Sequence, residues 1–161
     1  MLAIHDVIPD LSLPDQHGEE RRLKALLGKK GGVIYFYPRD STPGCTVEAN
    51  DFQSLAQDFA ALGLTVTGIS RDSVASHNRF CLKQGLTFTL LSDQNTEACA
   101  QFGVWQEKTN YGRTSMGIVR TTFVVNEAGV VQKVYRAVKT AGHAQLVLTE
   151  AKAALSNQTD A

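Results

Sequence analysis

Three cysteines, Cys45, Cys81 and Cys99, hold the most reactive chemistry in this 161-residue chain. Cys45 stands in the stretch "DSTPGCTVE". Thr42 is a favoured N-cap residue, and Pro43 falls at the first helical position, where its missing N–H costs nothing. Cys45 is then expected in the first turn of a helix. Backbone N–H groups without intrahelical partners point at that turn, and the macrodipole favours negative charge there. Both effects favour thiolate over thiol, and the thiolate is the nucleophile. The expected chemistry is therefore redox or nucleophilic work by one activated sulfur. No two cysteines have the C-x-x-C spacing of thioredoxin-type disulfide exchange, which argues against a protein disulfide oxidoreductase. His5, His17, His77 and His143 are scattered, so neither a zinc site nor another cofactor is expected. His77 lies one turn before Cys81 and is read as solvent-facing. Cys99, among alanines in "TEACAQF", is read as inert packing.

The segments around these residues alternate between strand and helix. "GVIYFY" reads as a fully buried strand, bounded by Gly31-Gly32 and Pro38. Thr42 to Leu62 carries Val47, Phe52, Leu55, Phe59 and Leu62 near helical spacing, and Gly63 closes it. "LTVTGIS" is a second strand. Asp72 or Ser73 caps a helix running to about Gln84, with Gly85 as its stop. "TFTLLSD" gives a short strand and "TEACAQFG" a short helix. "VRTTFVV", the turn "NEAG" and "VVQKVYR" form a β-hairpin. Ala141 to Leu155 is a last amphipathic helix, and the tail from about residue 156 is expected to be flexible. Strand–helix alternation predicts an α/β sheet covered on both faces, and the closing hairpin makes that sheet mixed. The order corresponds to a thioredoxin-like fold with an added N-terminal segment, "PDLSLPDQHGEERRLKAL". A flavodoxin-like sheet is the competing arrangement, and the terminal hairpin counts against it.

Composition narrows the class further. With 43% hydrophobic and 20% charged residues, the chain reads as one globular domain over residues 1–161. Sixteen basic and sixteen acidic side chains cancel, and the absence of a basic cluster argues against nucleic-acid binding. No apolar run approaches the ~20 residues of a membrane span. The start "MLAIHDVIPDL" lacks a signal peptide's basic beginning and apolar core, so a cytoplasmic location is expected. In a reducing compartment the thiols are expected to be buried, metal-binding or catalytic rather than structural disulfides.

Pro38, Thr42 and Cys45 match the Pro-x-x-x-Thr-x-x-Cys signature of the peroxiredoxins. "YFYPRDSTPGCTVEANDF", "LLSD" and "GIVRTTFVVNEAGVV", in that order, resemble the bacterioferritin-comigratory or PrxQ branch over nearly the whole chain. The resemblance implies a thioredoxin fold and reduction of hydrogen peroxide and organic hydroperoxides by Cys45, which becomes a sulfenic acid. It implies that Thr42 and the Cys45 N–H bind peroxide and thiolate, and that Pro38 shapes and shields the loop. Arg120 matches the family's distant active-site arginine. Glu48 matches a glutamate common in this branch, expected to orient groups around the pocket or hold an arginine. Many members carry a second cysteine five residues after the first, where this chain has Asn50. Cys81 is the expected resolving cysteine instead, since some members place theirs in the corresponding helix. Bringing two thiols from separate helices within disulfide reach requires partial unwinding at both. Thioredoxin or glutaredoxin is the implied reductant, and intramolecular resolution is compatible with a monomer or weak dimer. Resolution by an external thiol, and a redox-sensing or holdase role, are the alternatives.

Overall fold

The computed structural model describes residues 1–159. Its centre is β3 (Gly31–Phe36), buried along its whole length. Parallel to it runs β4 (Leu64–Ser70), and parallel to β4 runs β5 (Thr89–Ser92). On the other side of β3 lies β8 (Thr121–Val125), antiparallel, followed by β9 (Val131–Tyr135), antiparallel again. The sheet order is β5-β4-β3-β8-β9. The antiparallel β3–β8 pairing is what separates this mixed, thioredoxin-like sheet from a flavodoxin-like one. A small hairpin, β1 (Ser12–Pro14) with β2 (Glu20–Arg22), forms within the N-terminal addition.

Successive side chains of a strand point to opposite faces, and β3 divides its residues accordingly. Val33 and Tyr35, continued by Tyr37, enter one hydrophobic cluster with Phe52, Phe59, Phe80 and Val147. Ile34 and Phe36 enter the other, with Leu13, Leu91, Phe102 and Phe123. Gly68 of β4 is required by this packing: a Cβ there would lie 2.8 Å from Leu90 Cδ2 and 2.9 Å from Tyr35 Cζ.

The helix expected over Thr42–Leu62 is two helices, α1 (Pro43–Ser54) and α2 (Ala56–Ala61). Leu55 between them leaves helical geometry at φ −103°, ψ 6°. Ser54 Oγ donates to the Asp51 carbonyl, a local side-chain bond that competes with the helical ladder. The buried residues of α1 are Cys45, Glu48, Ala49 and Phe52, spaced for one helical face. Val47, expected on that face, is 45% exposed.

Helix α3 (Val74–Gln84) starts where Ser73 Oγ accepts the Ser76 N–H and ends at Gly85, whose φ of +67° terminates it. Helix α4 (Glu97–Phe102) leads into a hairpin that the sequence patterning did not reveal, β6 (Trp105–Asn110) with β7 (Arg113–Ile118). Its two-residue connection has positive φ at both Tyr111 (52°) and Gly112 (76°), the demand of a type I′ turn. Polar residues on both strand faces hid it from periodicity. Helix α5 (His143–Thr159) passes the expected end at Leu155, and Asp160 and Ala161 lie outside the described residues. No described helix is long and apolar enough to cross a membrane.

Candidate active site

Buried strand β3 leads through Tyr37 and the loop Pro38–Thr42 into α1. Thr42 has the extended backbone of an N-cap, φ −81° and ψ 153°, and Pro43 opens the helix. The Thr42 hydroxyl does not cap, however. It donates to the Arg39 carbonyl at 2.8 Å, which leaves its oxygen lone pairs for another donor. Cys45, third in α1, is 1% exposed.

Arg120, immediately before β8, reaches across to this turn. Its Nη2 donates to Cys45 Sγ at 3.2 Å and its Nη1 to Glu48 Oε1 at 2.6 Å. One guanidinium thus spans the sulfur and a carboxylate one helical turn further on. Glu48 is almost fully buried, and burial raises its carboxyl to about 7, against the pull of the Arg120 charge. Glu48 Oε2 and Tyr35 Oη have no hydrogen-bond partner among the described residues. Burial, the Glu48 charge and then the Cys45 charge hold the Tyr35 phenol well above its ordinary range.

An open cleft of about 710 Å³ adjoins the turn, with Pro38, Thr42, Arg71, Trp105, Lys108 and Met116 in its walls. Arg71 lies over the Trp105 ring, 4.5 Å from the centroid. Burial, then the nearby Arg120, push the Lys108 ammonium below its ordinary range, while Cys45 acts the other way. Cationic walls stabilise an oxyanion that develops beside them.

Cys81 lies in α3, buried, in the same hydrophobic cluster as Cys45, and both thiols are free. Burial, then the Asp40 charge, raise the Cys81 thiol to about 11. Cys99 is fully buried in the other cluster, its N–H bonded to Asp93 Oδ2 at 2.8 Å. Burial and Asp93 push its thiol far above the ordinary range.

A second polar group lies between the Cys45 loop and α3. Asp40 Oδ2 meets His77 Nδ1 at 2.7 Å and accepts from Ser76 Oγ at 2.8 Å, while Asp40 Oδ1 accepts from Tyr37 Oη at 2.6 Å. His77 Nε2 meets the Leu91 carbonyl at 3.0 Å. The Asp40 N–H donates to Asp72 Oδ2 at 2.9 Å, which also accepts from Ser70 Oγ at 2.6 Å. Potential ligand atoms of Asp40, Asp72 and His77 lie within 4.8 Å of one another, and Asp40 Oδ2, Asp72 Oδ2 and His77 Nδ1 are engaged in the hydrogen bonds just described.

A thiol at a helix N-terminus, gripped by an arginine distant in the chain, is the arrangement that the Pro-x-x-x-Thr-x-x-Cys resemblance leads one to expect. The AhpC/TSA family model matches residues 4–134. The chain belongs to that family. It is a peroxiredoxin of the Bcp/PrxQ type, and so an enzyme. It is 47% identical to Peroxiredoxin Bcp of Xanthomonas campestris over 144 residues, covering 89% of each chain. It is 41% identical to Peroxiredoxin Bcp of Escherichia coli, covering 91% of this chain and 94% of that one. Among solved structures, the Xanthomonas campestris bacterioferritin comigratory protein, studied for alkyl peroxide reduction through trapped intermediate and ligand complexes, superposes with a TM-score of 0.85. It shares 42% identity and covers 93% of this chain and 99% of that one. A cysteine-to-serine mutant of Xylella fastidiosa PrxQ superposes at 0.89, with 38% identity, 95% of this chain and 97% of that one.

Of the six side chains singled out from the peroxiredoxin sequence, the structure brings Cys45, Arg120 and Glu48 into direct contact. Thr42 and Pro38 lie on the cleft beside them, Pro38 exposed. Cys81 stands apart, in the same cluster but unbonded. Glu48 shares the buried face of α1 with Cys45, Ala49 and Phe52. His77 corrects the sequence reading: it is fully buried, not solvent-facing, because both ring nitrogens have partners inside the protein. Lys108 and Arg71 had no sequence signal, since their relevance comes from the β6–β7 hairpin and the end of β4 meeting at the cleft.

Proposed function

We propose that this peroxiredoxin reduces hydrogen peroxide and organic hydroperoxides at Cys45 and resolves the product with Cys81. The observation that carries the reading is the Arg120 Nη2–Cys45 Sγ contact of 3.2 Å at the first turn of α1. The Cys45 thiolate attacks the terminal oxygen of ROOH. The O–O bond breaks as an S–O bond forms, the sulfur is oxidised to sulfenic acid, and RO⁻ takes a proton and leaves as ROH, or as water from hydrogen peroxide. Charge moves from sulfur to the leaving oxygen, so donors fixed around both atoms lower the barrier. Arg120 and the Cys45 N–H are those donors, while the Thr42 oxygen, whose hydrogen is given to Arg39, accepts from the hydroperoxide O–H. Glu48 orients the guanidinium and Pro38 shields the loop from water.

Cys81 then condenses with the sulfenic acid, and thioredoxin or glutaredoxin reduces the resulting disulfide. Support for Cys81 comes from two Xanthomonas campestris PrxQ mutants, whose replaced cysteines lie 36 positions apart, the separation of Cys45 and Cys81. An intramolecular cycle needs no second subunit, in keeping with a monomer or weak dimer. One observation favours a second reading. The buried Cys81 thiol, raised to about 11, is a poor nucleophile where it stands, so an external thiol could resolve Cys45 instead.

Non-reducing peptide mass mapping after one equivalent of hydrogen peroxide separates the two. A Cys45–Cys81 cross-link is expected. Oxidised Cys45 with Cys81 still free would assign resolution to an external thiol, and Cys45 left unmodified would remove the peroxidase assignment from it.

A further inference from the structure

We propose that Asp40 and His77 act as a clasp that sets how fast Cys45 sulfenic acid is resolved, by holding the Cys45 loop to the helix carrying Cys81. This rests on the reading that Cys81 is the resolving residue. Asp40 lies in the loop five residues before Cys45, and His77 one helical turn before Cys81. The two side chains are 2% and 0% exposed, and they meet at 2.7 Å.

The clasp is completely satisfied. The Leu91 carbonyl can only accept, so His77 Nε2 donates to it. The three donors around Asp40, from Tyr37, Ser76 and His77, outweigh its burial and hold its carboxyl below the usual range. An ionised Asp40 requires His77 Nδ1 to donate as well. The Asp40 carboxylate makes the contact a charge-assisted bond sealed from water, where such bonds are strongest and costly to break. The Asp40 N–H bond to Asp72 adds a backbone tie between the loop and the segment that precedes α3.

Resolution works against these ties. Cys81 sulfur attacks Cys45 sulfur, the S–S bond forms as the S–O bond breaks, and the hydroxide released takes the Cys81 proton to leave as water. A disulfide needs the two Cα atoms within ~7 Å and Cβ vectors aimed at each other. Cys45 must leave the grip of Arg120, and Cys81 must leave the apolar cluster. The loop and α3 cannot rearrange freely while Asp40 and His77 join them. The clasp thus stabilises the folded site for the peroxide step and slows the step that follows. A sulfenic acid that waits longer meets a second peroxide more often and is over-oxidised to sulfinic acid.

The test is single-turnover kinetics on Asp40→Asn and His77→Gln, with hydrogen peroxide as probe. Cys45 oxidation and Cys45–Cys81 disulfide formation are followed separately by acid quench and mass mapping. Both variants should form the disulfide on the order of tenfold faster than the parent, the effect expected on losing a charge-assisted buried bond. The peroxide concentration that over-oxidises half of Cys45 should rise by a similar factor. Ser76→Ala, which removes one donor and keeps the Asp40–His77 contact, should move both readouts the same way by less, and it serves if the first two fail to fold. Disulfide formation that is unchanged or slower would overturn the clasp. A parent protein that forms no Cys45–Cys81 disulfide would instead overturn the resolving role on which it rests.

Discussion

At Cys45 the sulfur is served by one guanidinium whose other nitrogen belongs to Glu48, so position and charge arrive together. Arginine suits this better than lysine, because its planar fork satisfies two acceptors at once and an ammonium is a single point charge. Arg120→Ala should lower the second-order rate constant with hydrogen peroxide by about a hundredfold, the order found when one preorganised transition-state donor is removed. Arg120→Lys should recover only part of that loss. Stopped-flow oxidation of the reduced protein reads both, and an unchanged rate in Arg120→Ala would remove the arginine from the machinery. The Arg120 position was legible from its resemblance to the family's arginine. Its partner Glu48 is less legible, because sequence alone does not tell whether a helical glutamate meets solvent or a buried arginine.

The elements carry their own constraint, in how β3 supports α1. Tyr35 stacks on Phe52 with centroids 4.7 Å apart, so the helix bearing Cys45 rests directly on a strand side chain. Gly68 makes the room for that ring. Gly68→Ala would drive a Cβ to within 3 Å of both Tyr35 and Leu90. Overpacking of this kind costs about 1–3 kcal/mol, which lowers Tm by roughly 2–4 °C for each kcal/mol in a chain of this size. Thermal unfolding measures it, and an unaltered Tm would mean that the sheet absorbs the methyl group without displacing Tyr35. Nothing in "LTVTGIS" by itself announces this need, since a glycine in a strand is interpretable only when the ring across from it is known. The β6–β7 hairpin was missed for a related reason. Its strands carry no apolar alternation, and its turn shows its demand for positive φ only in the backbone angles.

Across the molecule, two buried groups give stability opposite dependences on pH. Burial lifts Glu48 to about 7, above its ordinary 4.5, so the folded state holds the proton more tightly. Stability from this group is full below about pH 4.5 and is lost as pH rises to about 7. Burial, then the Arg120 charge, push His143 down to about 4 from 6.5, so its unfolded form takes up the proton first. That contribution is full above about pH 6.5 and is lost as pH falls toward 4. The two slopes oppose each other between about pH 4.5 and 6.5 and are separated by single variants. Relative to the parent, Glu48→Gln should gain Tm as pH rises from 5 to 8, and His143→Gln should gain Tm as pH falls from 7 to 4.5. A Tm difference independent of pH in either variant would mean that the burial of that group does not set its proton affinity.

Resemblance to the peroxiredoxins singled out Arg120, and the sequence patterning determined the α/β order, the closing hairpin and the first-turn position of Cys45. These depend on local rules: strands need β-branched and aromatic runs, helices need caps, and a proline and a threonine before a cysteine fix a helix start. Only the tertiary structure decided that Glu48 is buried against Arg120 and that Lys108 and Arg71 face the cleft. It alone decided that His77 is tied to Asp40 rather than turned to water. Each of these depends on segments at least 30 residues apart in the chain meeting in space, and on whether a polar atom finds its partner in the protein or in solvent. Local pattern has no access to that choice.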